Sequence, residues 1–441
     1  MLGFTLAATV ATHAQQAARE VVLDNGLKVV VQEDHRAPVV DAQIWYHVGS
    51  SHEHAGITGI SHALEHMMFK GTERYGPGEF SRIIAAAGGI ENAFTGQDFT
   101  AYFQRLERSR LPVSLELEAD RMTALRLPPE EFRKEMEVVK EERRLRTEDN
   151  PEAAAEELAR AVAYQVSPYR QPVIGWMDDL QSMTREDLAR WYERWYAPDN
   201  ATLVVVGDVD AESVFALARR YFGAIPAGAT PQPGLPQEPP QQGMRRAQLE
   251  LPAAVAYLII DYKVPTLASL VAAGAEPAEA YAVEVLRALL AGDESARLPA
   301  RLVRGRELAT GIEAGYELYA RLPGLLTITA LPSRNDALAA LEAAILEEVA
   351  ALRSKGPEAG ELARARTRLV SQRSFRLDSP FYRAMEIGML EASGLGWRVR
   401  DDYDGSIAAV TAADVREVAR KYLRSRGMTV TSLTPVPEPA S

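Results

Sequence analysis

The sequence predicts an α+β protein of two homologous domains, each a mixed, mostly antiparallel sheet with helices packed on one face. Three observations lead there. Strand-like and helix-like patterns cluster along the chain instead of alternating, which disfavours a doubly wound parallel sheet. Residues 183–205 (MTREDLARWYERWYAPDNATLVV) and 410–432 (VTAADVREVARKYLRSRGMTVTS) share a cap–helix–strand pattern at a constant offset of 227, pairing Thr184 with Thr411, Asp187 with Asp414 and Trp195 with Tyr422. Between them the run 224–243 carries six prolines and no aromatic residue, the composition of an extended linker.

The elements follow in order. Residues 20–33 and 38–48 read as strands, with a tight turn at Asp24-Asn25-Gly26. Helical periodicity covers 58–70, 78–87, 111–126, 130–148, 152–165 and 184–196, with strands near 90–105 and 201–208. After the linker come strands near 245–263 and 308–332, then helices at 335–354, 357–375, 380–393 and 411–423. The division is thus 15–223 for the first domain, 224–243 for the linker and 244–441 for the second. Residues 1–14 (MLGFTLAATVATHA) resemble the apolar stretch of a signal peptide, without a basic n-region. That favours a periplasmic or secreted protein, with a cytoplasmic one as the alternative.

Composition excludes several classes. A net charge of −12 lacks the basic footprint that nucleic-acid binding needs. The absence of cysteine removes disulfides and cysteine-ligated metal sites. No stretch reaches the roughly 18 apolar residues of a membrane span.

His62, Glu65 and His66 fall in the predicted helix 58–70. Two imidazoles one helical turn apart lie about 6 Å apart along the axis on one face, where they can chelate zinc. A neighbouring carboxylate that is not a ligand can deprotonate metal-held water. Ile60, Leu64, Met67 and Met68 form a separate apolar stripe. All seven histidines precede residue 67, so a third ligand must be a carboxylate. On the helix around 130–148, Glu135, Val138, Val139 and Glu142 share a stripe whose valines imply an inward face, with Lys134, Lys140, Arg143 and Arg144 on the wet side. Glu142 or Glu135 then fits the third position better than Glu141, which lies about 100° away around the helix. A solvated Glu/Arg helix would give the same composition.

These residues resemble an inverted zinc-protease motif, H-x-x-E-H. With DNGLKVVV at 24–31, GITGISHALEHMMFKGT at 56–72, GGIENAFTGQDFTAYF at 88–103 and EMEVVKEE at 135–142, the chain is similar to the pitrilysin/insulinase family, in its processing-peptidase-like branch. The resemblance implies one Zn2+ per chain on His62, His66 and Glu142, with Glu65 as the general base and Glu135 in support. It implies that Asn92, Ala93, Phe94 and Thr95 form an edge strand to which peptide substrates add. The implied activity is that of a zinc metalloendopeptidase acting on peptides or unfolded segments. The alternative is a non-catalytic or structural-zinc assembly subunit of the same fold. One departure stands out. Family members that act alone carry an Arg and a Tyr seven residues apart in the second half, where this chain has Val303 and Thr310. The resemblance therefore implies a heterodimer with a homologous subunit supplying that pair, with a homodimer as the alternative.

Overall fold

A computed structural model describes residues 17–231, 234 and 237–437. Residues 1–14, read above as a signal-peptide remnant, lie outside the described residues.

The first half forms a six-stranded sheet from β1 (Arg19–Val22), β2 (Lys28–Glu33), β3 (Val39–Tyr46), β4 (Ile90–Thr95), β5 (Thr100–Glu107) and β6 (Ala201–Gly207), in the order β1-β2-β6-β3-β5-β4. The second half forms a five-stranded sheet from β7 (Arg245–Pro252), β8 (Tyr257–Val264), β9 (Ala309–Gly315), β10 (Gly324–Pro332) and β11 (Met428–Val436), in the order β7-β11-β8-β10-β9. Only β2/β6 and β7/β11 pair in parallel; all other neighbours are antiparallel. Leaving out β1, the two sheets have the same order and directions, so β4 of the first corresponds to β9 of the second as an edge strand.

The repeated cap is present in both copies. Thr184 Oγ1 accepts from Asp187 N at 3.2 Å while Asp187 takes Thr184 N at 2.9 Å. Thr411 and Asp414 repeat this at 3.2 and 2.8 Å. The described residues of the run 224–243 lie outside every helix and strand.

The structure differs from the periodicity reading in three strand runs and in five helices. The runs 90–105, 245–263 and 308–332 are each two strands. The helix Ala278–Ala291 was not expected: eleven of its residues are buried, Glu284 among them, so little of it presents the polar face by which a surface helix is recognised. Helices Met177–Ser182, Ala211–Phe222, Leu267–Ala272 and Tyr403–Ala409 were also missed.

Each half packs its own helices on one face of its sheet. In the first, Ile60–Met67, Leu111–Thr123, Arg185–Trp195 and Ala211–Phe222 build the main core over Val29, Val31, Ile44 and Val205. Within this core Arg121 is fully buried. Its guanidinium donates to Glu118 at 2.7 and 2.5 Å and lies 4.2 Å from the Tyr102 ring centroid and 4.5 Å from that of Phe80. Arg121→Ala leaves Glu118 buried without its counter-charge, and the expected loss is about 3–5 kcal/mol. A urea titration of the full chain will show it as an earlier midpoint.

The opposite faces are covered by exchange. The helix Pro380–Ala392 of the second half packs on β3 and β6 through Ala384 and Ile387, against Trp45 and Val204. Gly388 is required there: a Cβ would lie 2.1 Å from the Trp45 ring. Reciprocally, the helix Pro151–Ala163 of the first half lies on β7, β8 and β11, packing Ala155 and Ala159 on Tyr257, Ile259 and Leu433.

Beneath that helix Asp261 of β8 is 2 % exposed and accepts from Thr327 Oγ1 at 2.6 Å. Burial raises its carboxyl from 3.8 to about 6. The folded chain therefore holds a proton that the unfolded chain releases between those values. The associated stability is complete below pH 3.8 and is lost as pH rises through 6, a change of about 3 kcal/mol. Asp261→Asn should flatten that part of the stability profile, as measured by melting at pH 4 to 8.

Candidate metal centre

The helix Ile60–Met67 is anchored at its start by two carboxylates. Glu53 accepts from Gly59 N at 2.7 Å and Ser61 N at 2.9 Å, and burial lifts its carboxyl to about 7. Asp179 Oδ2 accepts from Gly56 N, Thr58 N and Thr58 Oγ1 at 3.2, 3.1 and 2.5 Å. Acceptors at this end satisfy the unpaired N–H groups and suit the helix dipole. Gly59 caps the helix at φ 84°, and a Cβ there would sit 2.5 Å from Ile174 O, so only glycine fits. The apolar stripe Ile60, Leu64, Met67 and Met68 is buried, which turns the other face of the helix to the cavity.

Across it lies the helix Pro129–Arg143, carrying Glu135 and Glu142. His62 Nε2 is 3.8 Å and His66 Nε2 3.4 Å from Glu142 Oε2. The ligand atoms of His62, His66 and Glu142 all lie within 4.8 Å of one another. Ligands at zinc bond lengths of about 2.0–2.1 Å in a tetrahedron sit about 3.4 Å apart, so the set fits that ion. Burial, with His66 close by, pushes the His62 imidazole to about 3, which keeps it neutral as a metal ligand must be. No second group of three such side chains occurs among the described residues.

Glu135 is placed differently. Its Oε2 is 3.2 Å from His66 Nδ1, and its Oε1 is 2.7 Å from Lys70 Nζ. It holds the ring nitrogen opposite to the one facing Glu142. Glu65 stands beside the cluster, with burial raising its carboxyl, and accepts from Thr95 Oγ1 at 2.5 Å. Thr95 ends β4, the edge strand, which pairs only with β5. Asn92, Ala93, Phe94 and Thr95 line the same cavity of about 700 Å³ as His62, Glu65, His66 and Glu142.

Two side chains on the second helix depart from the stripe argument. Val139 is fully buried, but Val138 is 48 % exposed, because it sits at the margin of the stripe. Arg143, expected on the wet side, is instead buried, donating to Glu157 at 2.9 Å and Gly175 O at 2.7 Å. Glu141 faces solvent, paired with Arg144. Arg146 was missed: its guanidinium lies 2.8 Å from Glu142 Oε1, and its spacing four residues after Glu142 was the available signal. Val303, Arg304 and Thr310 line a separate cavity of about 650 Å³ that shares no residue with the first.

Comparison with known proteins settles the lineage. Residues 28–176 match the family model described as Insulinase (Peptidase family M16), and residues 182–369 match Peptidase M16 inactive domain. A zinc protease, PqqE, of Helicobacter pylori is 36 % identical over 306 residues, covering 68 % of this chain and 67 % of that protein. A crystal structure of a protease from Helicobacter pylori superposes with a TM-score of 0.89 at 30 % identity, covering 95 % of this chain and all of that one. The chain belongs to the M16 insulinase family. A zinc protease of Mycobacterium tuberculosis, Rv2782c, is 28 % identical across 94 % of this M16 chain and 92 % of its own length. The His62/His66/Glu142 group lies within the span of the insulinase match, and the second M16 match spans a region without such a group among the described residues.

Proposed function

We propose that this M16 chain is a zinc metalloendopeptidase that hydrolyses peptides or unfolded segments. The observation that carries the reading is the convergence of two imidazoles and a carboxylate at zinc-compatible spacing, with a second carboxylate, that of Glu65, beside them. His62, His66 and Glu142 would hold the ion. When bound, zinc polarises the scissile carbonyl and acidifies a water molecule. Glu65 takes the proton from that water and delivers it to the leaving amine, a role suited to a carboxyl whose affinity for protons is raised by burial. Glu135 fixes the His66 tautomer through Nδ1. The open edge of β4 offers main-chain partners to an extended substrate along Asn92–Thr95.

The second part of the proposal is a heterodimer. By the family resemblance Val303 and Thr310 take the positions of an Arg/Tyr pair that would stabilise developing negative charge; valine has no donor, and threonine offers a short neutral hydroxyl in place of the phenol. A homologous subunit carrying the pair completes the site; self-association is the alternative. The apolar segment 1–14 supports export. Among the described residues no helix is long and apolar enough to cross a membrane.

The test measures zinc content and peptide hydrolysis for the purified chain alone, and then with the product of the neighbouring gene. The expected result is one zinc per chain and activity that depends on the partner and is lost to a chelator. Full activity alone would refute the heterodimer. Bound zinc with no cleavage in either state would favour the structural-zinc assembly subunit.

A further inference from the structure

The two halves also meet at the turn that ends the edge strand. Residues 96–99 join β4 to β5, closed by Gly96 N donating to Phe99 O at 2.8 Å. The turn is seated on residues 49–51: Ser50 N donates to Gly96 O at 3.2 Å, and Ser51 N to Gln97 O at 2.7 Å. The seat is close-fitting, because a Cβ on Gly49 would lie 2.3 Å from Gly96 O.

Asp98, at the centre of the turn, is 7 % exposed. Its carboxylate accepts from Ser51 Oγ at 2.7 Å and from the Tyr169 hydroxyl. The other half supplies the rest. Arg321, in the loop between β9 and β10, donates its backbone N to Asp98 at 3.1 Å and its Nε at 3.2 Å. Its Nη2 donates to Ser51 Oγ at 2.8 Å. One guanidinium therefore grips both the turn and its seat. Three residues before Asp98 stands Thr95, whose hydroxyl holds Glu65.

We propose that Arg321 is a positioning residue for peptide hydrolysis: by clamping Asp98 and Ser51 it fixes the β4–β5 turn, and through Thr95 the carboxylate of Glu65. The proposal rests on the peptidase reading above. It gives the second half, which holds no metal group of its own among the described residues, a direct part in setting the geometry of the first. An ion pair that only joined the halves could sit anywhere on their contact. This one sits on the turn that leads straight into the strand touching the base.

The test uses the zinc-loaded full chain, with its partner where activity needs one, on a fluorogenic peptide. A displacement of the base by a fraction of an ångström makes Arg321→Ala lower kcat about tenfold or more, with KM changed less than about threefold and zinc content unchanged. Arg321→Lys keeps a charge on Asp98 and should recover most of kcat, though not the fork to Ser51. Thr95→Val combined with Arg321→Ala should cost no more than the larger single loss, since both act on one path. Asp98→Asn keeps the shape of the turn and should reproduce the kcat loss if the alanine variant fails to fold. The proposal is overturned if Arg321→Ala (or Asp98→Asn, where the alanine variant does not fold) stays within about twofold of the parent, if the losses of Arg321→Ala and Thr95→Val multiply in the double variant, or if they track the unfolded fraction and lysine restores nothing. A parent chain that cleaves no peptide, or a Glu65→Gln variant as active as the parent, would instead remove the peptidase reading and this proposal with it.

Discussion

Glu65→Gln is expected to keep the zinc and to lower peptide kcat by about 10²–10⁴-fold, if the proposed peptidase reading holds. Glutamine preserves the size of the side chain and can still meet Thr95 Oγ1, so the helix Ile60–Met67 and its two imidazoles stay in place. What is lost is the ability to accept a proton. Glu65 is outside the cluster of three side chains that can hold an ion, so metal content and kcat should separate cleanly. Metal analysis with a peptide assay on one preparation decides the point; surviving cleavage would mean that another group is the base.

Glu142→Gln should act on the opposite observable. Its Oε2 faces both imidazoles, whereas Oε1 is taken by Arg146. A neutral amide is a poor zinc ligand, and the expected fall in affinity exceeds the roughly 10–100-fold typical of changes to supporting residues. Glu135→Gln should fall within that smaller range, because Glu135 touches the far nitrogen of His66 and Lys70. Competition with a chromophoric chelator ranks the two variants. Unchanged stoichiometry in Glu142→Gln would move the third ligand elsewhere.

The clustering of the candidate metal ligands was legible in the sequence because it depends on helix periodicity. His62, Glu65 and His66 are neighbours on one short helix, and Glu135 and Glu142 are seven residues apart on another, so two local patterns were enough. The residue pattern alone did not separate Glu142 from Glu135; their different partners appear only once the two helices are packed together. Arg143 misled the periodicity argument because a long side chain can turn inward to reach Glu157 and Gly175 O. The clamp of Arg321 on Asp98 joins residues 223 positions apart, and no local pattern reports it. The helix Ala278–Ala291 escaped for a different reason, since burial on all sides erases the stripe by which helices are recognised.

The exchanged helices bear on what would happen if the chain were nicked between residues 224 and 243. The two pieces would stay interlocked, each holding a helix inside the other's territory. Synthesised separately, each would bare an apolar sheet face: Trp45, Val30 and Val204 in one, and Tyr257, Ile259 and Leu433 in the other. Such surfaces recruit other chains. Fragment complementation should therefore succeed only when both pieces are made together.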